Sequence, residues 1–193
     1  MLRIATEGDV GEILDIYAPY ILTTTITFEY DVPTEAEFLQ RFREITARFP
    51  WLVWEEDGKI LGYAYASAPF SRRAYDWCAE PSIYLRPEAR GRGLGKKLYA
   101  ALEEILAAQG FAVSYAIITS ENRASIAFHE KLGYRKCGFL DNCGLKFGRW
   151  LGVFWLEKRL KSVEIPSSPP CEWSVFMQDE QKIFDILGKL SLS

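Results

Sequence analysis

Apolar and polar positions follow two rhythms along this chain. Residues 51–56 read as a strand and residues 59–68 alternate with period two as its return, on either side of Asp57-Gly58, a pair suited to a tight hairpin turn. Residues 2–5, 77–85, 111–119, 134–141 and 150–159 have strand length and strand-type side chains. Between them apolar residues recur at helical spacing. Ile13, Ile16, Tyr17 and Tyr20 form one stripe behind Asp9, which stands where a helix cap belongs. Phe38, Phe42 and Ile45 form a second stripe behind Thr34, with Glu37 three residues on to complete a capping box. Residues 95–109 and 124–132 read as helices stopped by Gly110 and Gly133. The order β-α-α-β-β-β-α-β-α-β-β predicts an α/β fold, a central twisted mixed β-sheet flanked by helices on both faces. Within it, residues 77–119 form a parallel strand-helix-strand crossover.

Beyond Lys161 the pattern changes. Pro166, Ser167, Ser168, Pro169 and Pro170 read as a linker. Residues 177–190 then return to helical spacing at Ile183, Ile186, Leu187 and Leu190. The chain therefore divides into a domain over residues 1–161 and a C-terminal extension over 162–193. A helix of that length is marginal alone, so it is expected to dock on the core or on a partner chain.

Composition narrows the chemistry. Of 193 residues, 49% are hydrophobic and 25% charged, enough for a sizeable core. A net charge of −3 argues against nucleic acid or an anionic membrane as partner. No apolar run approaches the ~20 residues of a membrane span. Glu7, Asp9 and Glu12 interrupt any leader-like run, and the four cysteines (Cys78, Cys137, Cys143, Cys171) form no C-x-x-C pair. Both features point to the reducing cytoplasm, with buried or idle thiols. His129 is the single histidine, so a multi-histidine metal site is excluded and no metal is expected.

The strongest motif is Arg90-Gly91-Arg92-Gly93-Leu94-Gly95-Lys96, between a strand and a helix. Glycines there turn successive N–H groups into one concavity, the helix start adds partial positive charge, and Arg92, Lys96 and Lys97 add full charges: a pyrophosphate site. It is not a Walker loop, because Arg90 and Lys97 occupy the first glycine and the hydroxyl positions. It is not a dinucleotide fingerprint either, because its glycines are spaced by two. Read as R-x-x-G-x-G, it resembles the acetyl-CoA signature of the GNAT superfamily of N-acyltransferases. Asn122, followed by a short helix closing in Leu132-Gly133-Tyr134, resembles the second GNAT landmark, and the resemblance covers about residues 1–160.

A narrower likeness lies in the runs Phe49 to Val53, Ala74 to Glu80, Phe128 to Tyr134 and Gly144 to Trp150. These resemble the phosphinothricin/methionine sulfoximine acetyltransferase subfamily. That resemblance implies acetyl-CoA as co-substrate, the α-amine of a small acidic amino-acid analogue as acceptor, and a homodimer. Gly152 departs from it, standing where the subfamily carries an acidic residue, and the tail has no counterpart in it.

Site residues follow from the resemblance. Glu80, before Pro81, is the expected base at the mouth of the acetyl-CoA cleft, on a strand that proline implies is an edge or a bulge. The N–H groups of Ile83, Tyr84 and Leu85, left unpaired where strands part, polarise the acetyl carbonyl. Arg90 through Lys96 hold the pyrophosphate. Asn122 bonds the pantetheine arm or caps a helix. His129 protonates the departing thiolate, or is itself the base with Glu80 as its electrostatic partner. Arg72, favoured over Arg73, grips an anionic substrate group, with Phe28, Tyr75 and Lys146 lining the site, across a dimer interface if the protein pairs. Other readings stay open: acetylation of a protein N-terminus or a polyamine, and a non-catalytic CoA-binding module that uses the tail to meet a partner.

Overall fold

The structure, a computed structural model, describes residues 1–162 and 164–191, with the side chains of Leu190 and Ser191 excepted. The Leu190 position on the tail stripe therefore lies outside the described residues.

Seven strands form one mixed sheet. They are β1 (Leu2–Ile4), β2 (Trp51–Glu56), β3 (Lys59–Ser67), β4 (Cys78–Leu85), β5 (Val113–Thr119), β6 (Arg135–Lys146) and β7 (Arg149–Arg159), in the order β1-β2-β3-β4-β5-β7-β6. Neighbours run antiparallel except β4 and β5, which are parallel and are joined by helix α3 (Leu94–Gln109). Helices α1 (Val10–Thr23) and α2 (Glu35–Thr46) follow β1, and α4 (Arg123–Lys131) joins β5 to β6. The α/β architecture, the mixed sheet and the crossover are those the sequence predicts.

Alternation along the strands sorts the core onto two faces. Trp51, Val53 and Tyr63 pack with Ile13, Ile16, Tyr17, Tyr20, Phe38 and Phe42 of α1 and α2. Leu52, Trp54 and Ala64 pack with Leu98, Leu102 and Ile105 of α3 on the opposite face. Both predicted helix stripes are buried, and the Thr34–Glu37 capping box forms.

Several expectations need correction. Asp9 does not cap α1 with its side chain: its carboxylate accepts from Thr6 N–H at 2.7 Å and pairs with Arg3 at 2.8 Å. Thr6 and Asp9 instead form the capping box of a short 3-10 turn, Glu7–Asp9, because Thr6 stands directly before it and Asp9 is three residues on. Strand β6 runs five residues past its expected end. The hairpin turns at Phe147-Gly148, both left-handed (φ 50° and 71°), and an irregularity between Leu140 and Gly144 absorbs the intervening residues. Pro81 lies on no bulge; the expected edge is a local one, where β4 loses β5 and keeps β3. Strand β4 pairs continuously with β3 through Ala66↔Pro81, while its ladder to β5 holds only Cys78 and Ala79. The missing proline N–H faces the side on which the strands part, so no ladder bond is lost.

The tail holds two helices, α5 (Trp173–Phe176) and α6 (Glu180–Ser191), because Asp179 starts a second one by accepting from Lys182 N–H at 3.2 Å. Trp173, Phe176, Ile183 and Ile186 are buried in the same core cluster as Leu102 and Leu106 of α3. Backbone bonds fasten the segment: Cys171 N–H to Gln109 O at 2.8 Å and Trp173 N–H to Arg48 O at 3.2 Å. All four cysteines are free, as expected; Cys137 and Cys143 are exposed and Cys78 and Cys171 are half-buried. Among the described residues no helix is long and apolar enough to cross a membrane.

Candidate active site

Past Ala79 the β4 and β5 strands separate, and the gap opens a cleft of about 540 Å³. Its walls are Pro81 to Leu85 on one side and Ala116 to Ile118 on the other. Its floor and mouth are Arg90, Gly91, Gly93, Gly95 and Lys96 with Asn122, Ser125, Phe128 and His129 of the α4 segment.

Gly91 and Gly93 have φ of +76° and +80°, a backbone that L side chains rarely adopt, and a Cβ on either would meet nothing within 4 Å. The loop is therefore open above its own N–H groups. Gly93 caps α3 without a side chain, which leaves the helix's opening N–H groups for an anion. These residues fit a pyrophosphate. Arg90 and Lys96 line the cleft, whereas Arg92 is drawn to Glu56 at 2.7 Å and Lys97 sits 5.6 Å over the Trp54 ring. Leu94 is buried in the core and offers only backbone.

Of the three β4 N–H groups expected to be free, one faces the gap unclaimed. Arg86 N–H donates to Leu61 O at 2.9 Å, so the even-numbered N–H groups, Tyr84's included, point to β3. Leu85 N–H points to the gap but donates to Tyr20 Oη at 3.2 Å. Ile83 N–H also points there, beyond the end of the β5 ladder. Tyr20 acts as a latch. Its hydroxyl donates to Leu85 O at 2.6 Å and accepts from Arg90 Nη2 at 2.9 Å. Its place on an apolar stripe hid this second use; the signal is that a buried tyrosine needs a partner for its hydroxyl.

Glu80 is partly buried on β4, opposite Ser67. Among the described residues no cation lies within ion-pair distance of it, and burial alone pushes its pKa up to about 7. His129 is 4% exposed. Its Nδ1 lies 2.7 Å from Ser125 O and its Nε2 lies 2.8 Å from Tyr99 Oη. Burial holds its pKa below the usual histidine value. Asn122 caps α4, its Oδ1 accepting from Ser125 N–H at 3.1 Å, so the helix-cap reading holds, and it also lines the cleft.

The expected substrate residues form two separate groups, neither in the cleft wall. Phe28 packs where a Cβ on Gly144 would lie, and Lys146, 1% exposed, donates from Nζ to Thr27 O at 2.7 Å. Tyr30 donates to Leu145 O beside them, so the segment after α1 is pinned to the β6–β7 hairpin. Tyr75 packs tilted against Phe70, 4.4 Å between ring centroids, in the loop before β4, and Phe70 stacks on Trp155 of β7. Arg72 and Arg73 are exposed in that loop, with no acid within ion-pair distance among the described residues.

Residues 2–155 match the model of the acetyltransferase (GNAT) domain. Phosphinothricin N-acetyltransferase of Streptomyces viridochromogenes is 37% identical over 169 residues, covering 87% of this chain and 90% of that protein. The L-methionine sulfoximine/L-methionine sulfone acetyltransferase of Pseudomonas aeruginosa is 35% identical, covering 82% and 94%. A crystal structure of a GNAT phosphinothricin acetyltransferase from Sinorhizobium meliloti in complex with acetyl-CoA superposes with a TM-score of 0.85 at 37% identity, covering 91% and 97%. This chain belongs to the GNAT family and is an acyltransferase.

Proposed function

We propose that the protein transfers acetyl from acetyl-CoA to the α-amine of a small amino acid or analogue of the phosphinothricin or methionine sulfone/sulfoximine type. The amine attacks directly while both substrates are bound. Acetyl-CoA supplies an acetyl group activated as a thioester. The glycine loop from Arg90 to Lys96 is assigned its pyrophosphate, the β4 edge from Ile83 to Leu85 its acyl end, and Asn122 its pantetheine arm.

One observation carries the reading: an uncompensated carboxylate, Glu80, stands beside the parted strands with a pKa of about 7. A carboxylate of ordinary pKa is too weak a base for an ammonium, and burial removes much of that gap. Glu80 accepts a proton from the substrate ammonium, and Ile83 N–H donates to the carbonyl oxygen as it gains charge. The C–N bond forms and the C–S bond breaks. The thiolate, of ordinary pKa about 8.5, takes a proton downhill from the Glu80 carboxyl. Overall one proton ends on sulfur and one leaves to solvent. His129, kept neutral by burial, serves this scheme better as a fixed wall of the cleft than as the acid.

For the acceptor, Arg72 and Arg73 are free guanidinium groups suited to a carboxylate or phosphinate, with Tyr75, Phe28 and Lys146 completing the site. A homodimer is the natural setting. Strand β6 is a sheet edge, and Phe139, Leu140, Leu145, Phe147 and Trp150 are exposed on its hairpin. The unpaired cysteines suit a reducing cytoplasm.

A thiol-release assay with acetyl-CoA and a panel of phosphinothricin, methionine sulfone, methionine sulfoximine, common amino acids and polyamines tests this. Turnover confined to the amino-acid analogues is expected. Turnover on polyamines alone would reassign the acceptor, and acetyl-CoA binding without turnover on any amine would overturn the enzymatic reading.

A further inference from the structure

Behind His129 lies a buried polar chain that runs from the cleft to the far side of α3. Tyr99 and Glu103 stand one helical turn apart on α3 and face the same way. Ser114 of β5 and Lys158 of β7 are direct partners across the sheet. Tyr134, which follows the turn at Gly133, fits between them. Every member is buried or nearly so, and each polar atom has a defined role.

Hydrogen bookkeeping fixes the direction of the chain. Lys158 Nζ can only donate, and it does so to Glu103 Oε2 at 2.6 Å. Glu103 Oε1 accepts from Tyr134 Oη at 2.8 Å. That uses the one hydrogen of Tyr134, so Ser114 Oγ donates to the Tyr134 oxygen. The rings of Tyr99 and Tyr134 meet edge to face, 6.1 Å between centroids. At the cleft end, Ser125 O has no hydrogen, so the Nδ1 at 2.7 Å must carry one. In the neutral ring Nε2 is then a bare acceptor, and the hydroxyl at 2.8 Å from it, that of Tyr99, is the donor.

We propose that Tyr99, held against the Tyr134 ring, is a positioning residue that fixes His129 in the neutral tautomer with hydrogen on Nδ1. The hydroxyl of Tyr99 closes Nε2 while the α4 backbone closes Nδ1, so neither ring nitrogen is left to exchange protons freely with the cleft. Burial, which disfavours the imidazolium, acts in the same direction. The edge-to-face contact of the Tyr99 and His129 rings, 5.0 Å between centroids, holds the imidazole plane.

His129 is the only histidine in the chain, so its nitrogens can be read without ambiguity by long-range 15N–1H NMR of the full-length protein. The wild type should show a protonated Nδ1 and a bare Nε2 at neutral pH. Tyr99→Phe keeps the buried ring and removes only the hydroxyl; it should bring in Nε2-protonated tautomer or averaging between the two. A wild type that is mainly Nε2-protonated overturns the proposal outright, even if the variant does not fold. So does Tyr99→Phe with unchanged tautomer populations. The NMR result is independent of turnover, so it stands or falls separately from the substrate assignment.

Discussion

Ionising Glu80 costs folded-state stability, and the sign has a practical consequence. Its pKa rises from 4.5 to about 7 on folding, so the native state binds the extra proton. The associated stability is fully present below about pH 4.5 and is lost as the pH climbs through about 7. Glu80→Gln should flatten that portion of a denaturant-midpoint titration. The same variant should lower kcat/KM by about 10²–10⁴-fold and erase an acid limb near pH 7, while calorimetry finds acetyl-CoA binding intact. A full-strength profile in the variant would remove Glu80 as base. Gly62 offers a second test. A Cβ there would overlap Leu85 Cδ2 and press on Tyr84 O at 3.0 Å, and the other Leu85 methyl lies 3.3 Å from a Cβ position on Gly95. Gly62→Ala should cost about 1–3 kcal/mol in urea unfolding and weaken acetyl-CoA binding, because Leu85 is wedged between the two glycines. The parting of β4 from β5 was legible because Pro81 interrupts the strand. The setting of His129 was not, because Tyr99 is thirty residues away and reads as one more helix-stripe aromatic.

At the scale of elements, the cleft exists because one ladder stops. Strand β4 carries proline just where its partner strand leaves, and the glycine loop follows within one short turn. That grouping was visible in the sequence, since motif and proline share one segment. What escaped was the occupancy of the strand edge: Tyr20 comes from α1, and no local pattern announces that its hydroxyl takes Leu85 N–H. Asn122→Ala should cost α4 about 1 kcal/mol as a lost cap, measured by thermal unfolding, and should weaken acetyl-CoA binding as well if its amide also reaches the ligand. The tail was anticipated as one helix but forms two, since Asp179 restarts the helical pattern. Trp173 is 2% exposed. Trp173→Ala should remove about 3–5 kcal/mol and lower Tm by roughly 10 °C. A shift of one or two degrees would mean that the tail only rests on the core.

For the molecule as a whole, the mixed sheet and its parallel crossover followed from the alternation of helix and strand, while the insertion of β7 between β5 and β6 was not read from it. The assembly of the acceptor site did not follow from it either. The Arg72–Arg73 loop and the Phe28–Lys146 group form separate clusters within one chain, and Trp150 is 63% exposed. On the proposed homodimer, Trp150→Glu should shift the mass in light scattering from that of a dimer to that of a monomer and lower turnover with it. An unchanged mass would exclude the β6–β7 hairpin as the interface. The core itself carries a further consequence. Leu2 of the opening strand shares a cluster with Ile183 and Ile186 of α6. Sheet and α3 can form during synthesis, but that face cannot close until α6 has left the ribosome. A nascent chain paused in the proline-rich stretch from Pro166 to Pro170 would display the bare apolar side of α3, a natural target for holding chaperones and quality-control proteases.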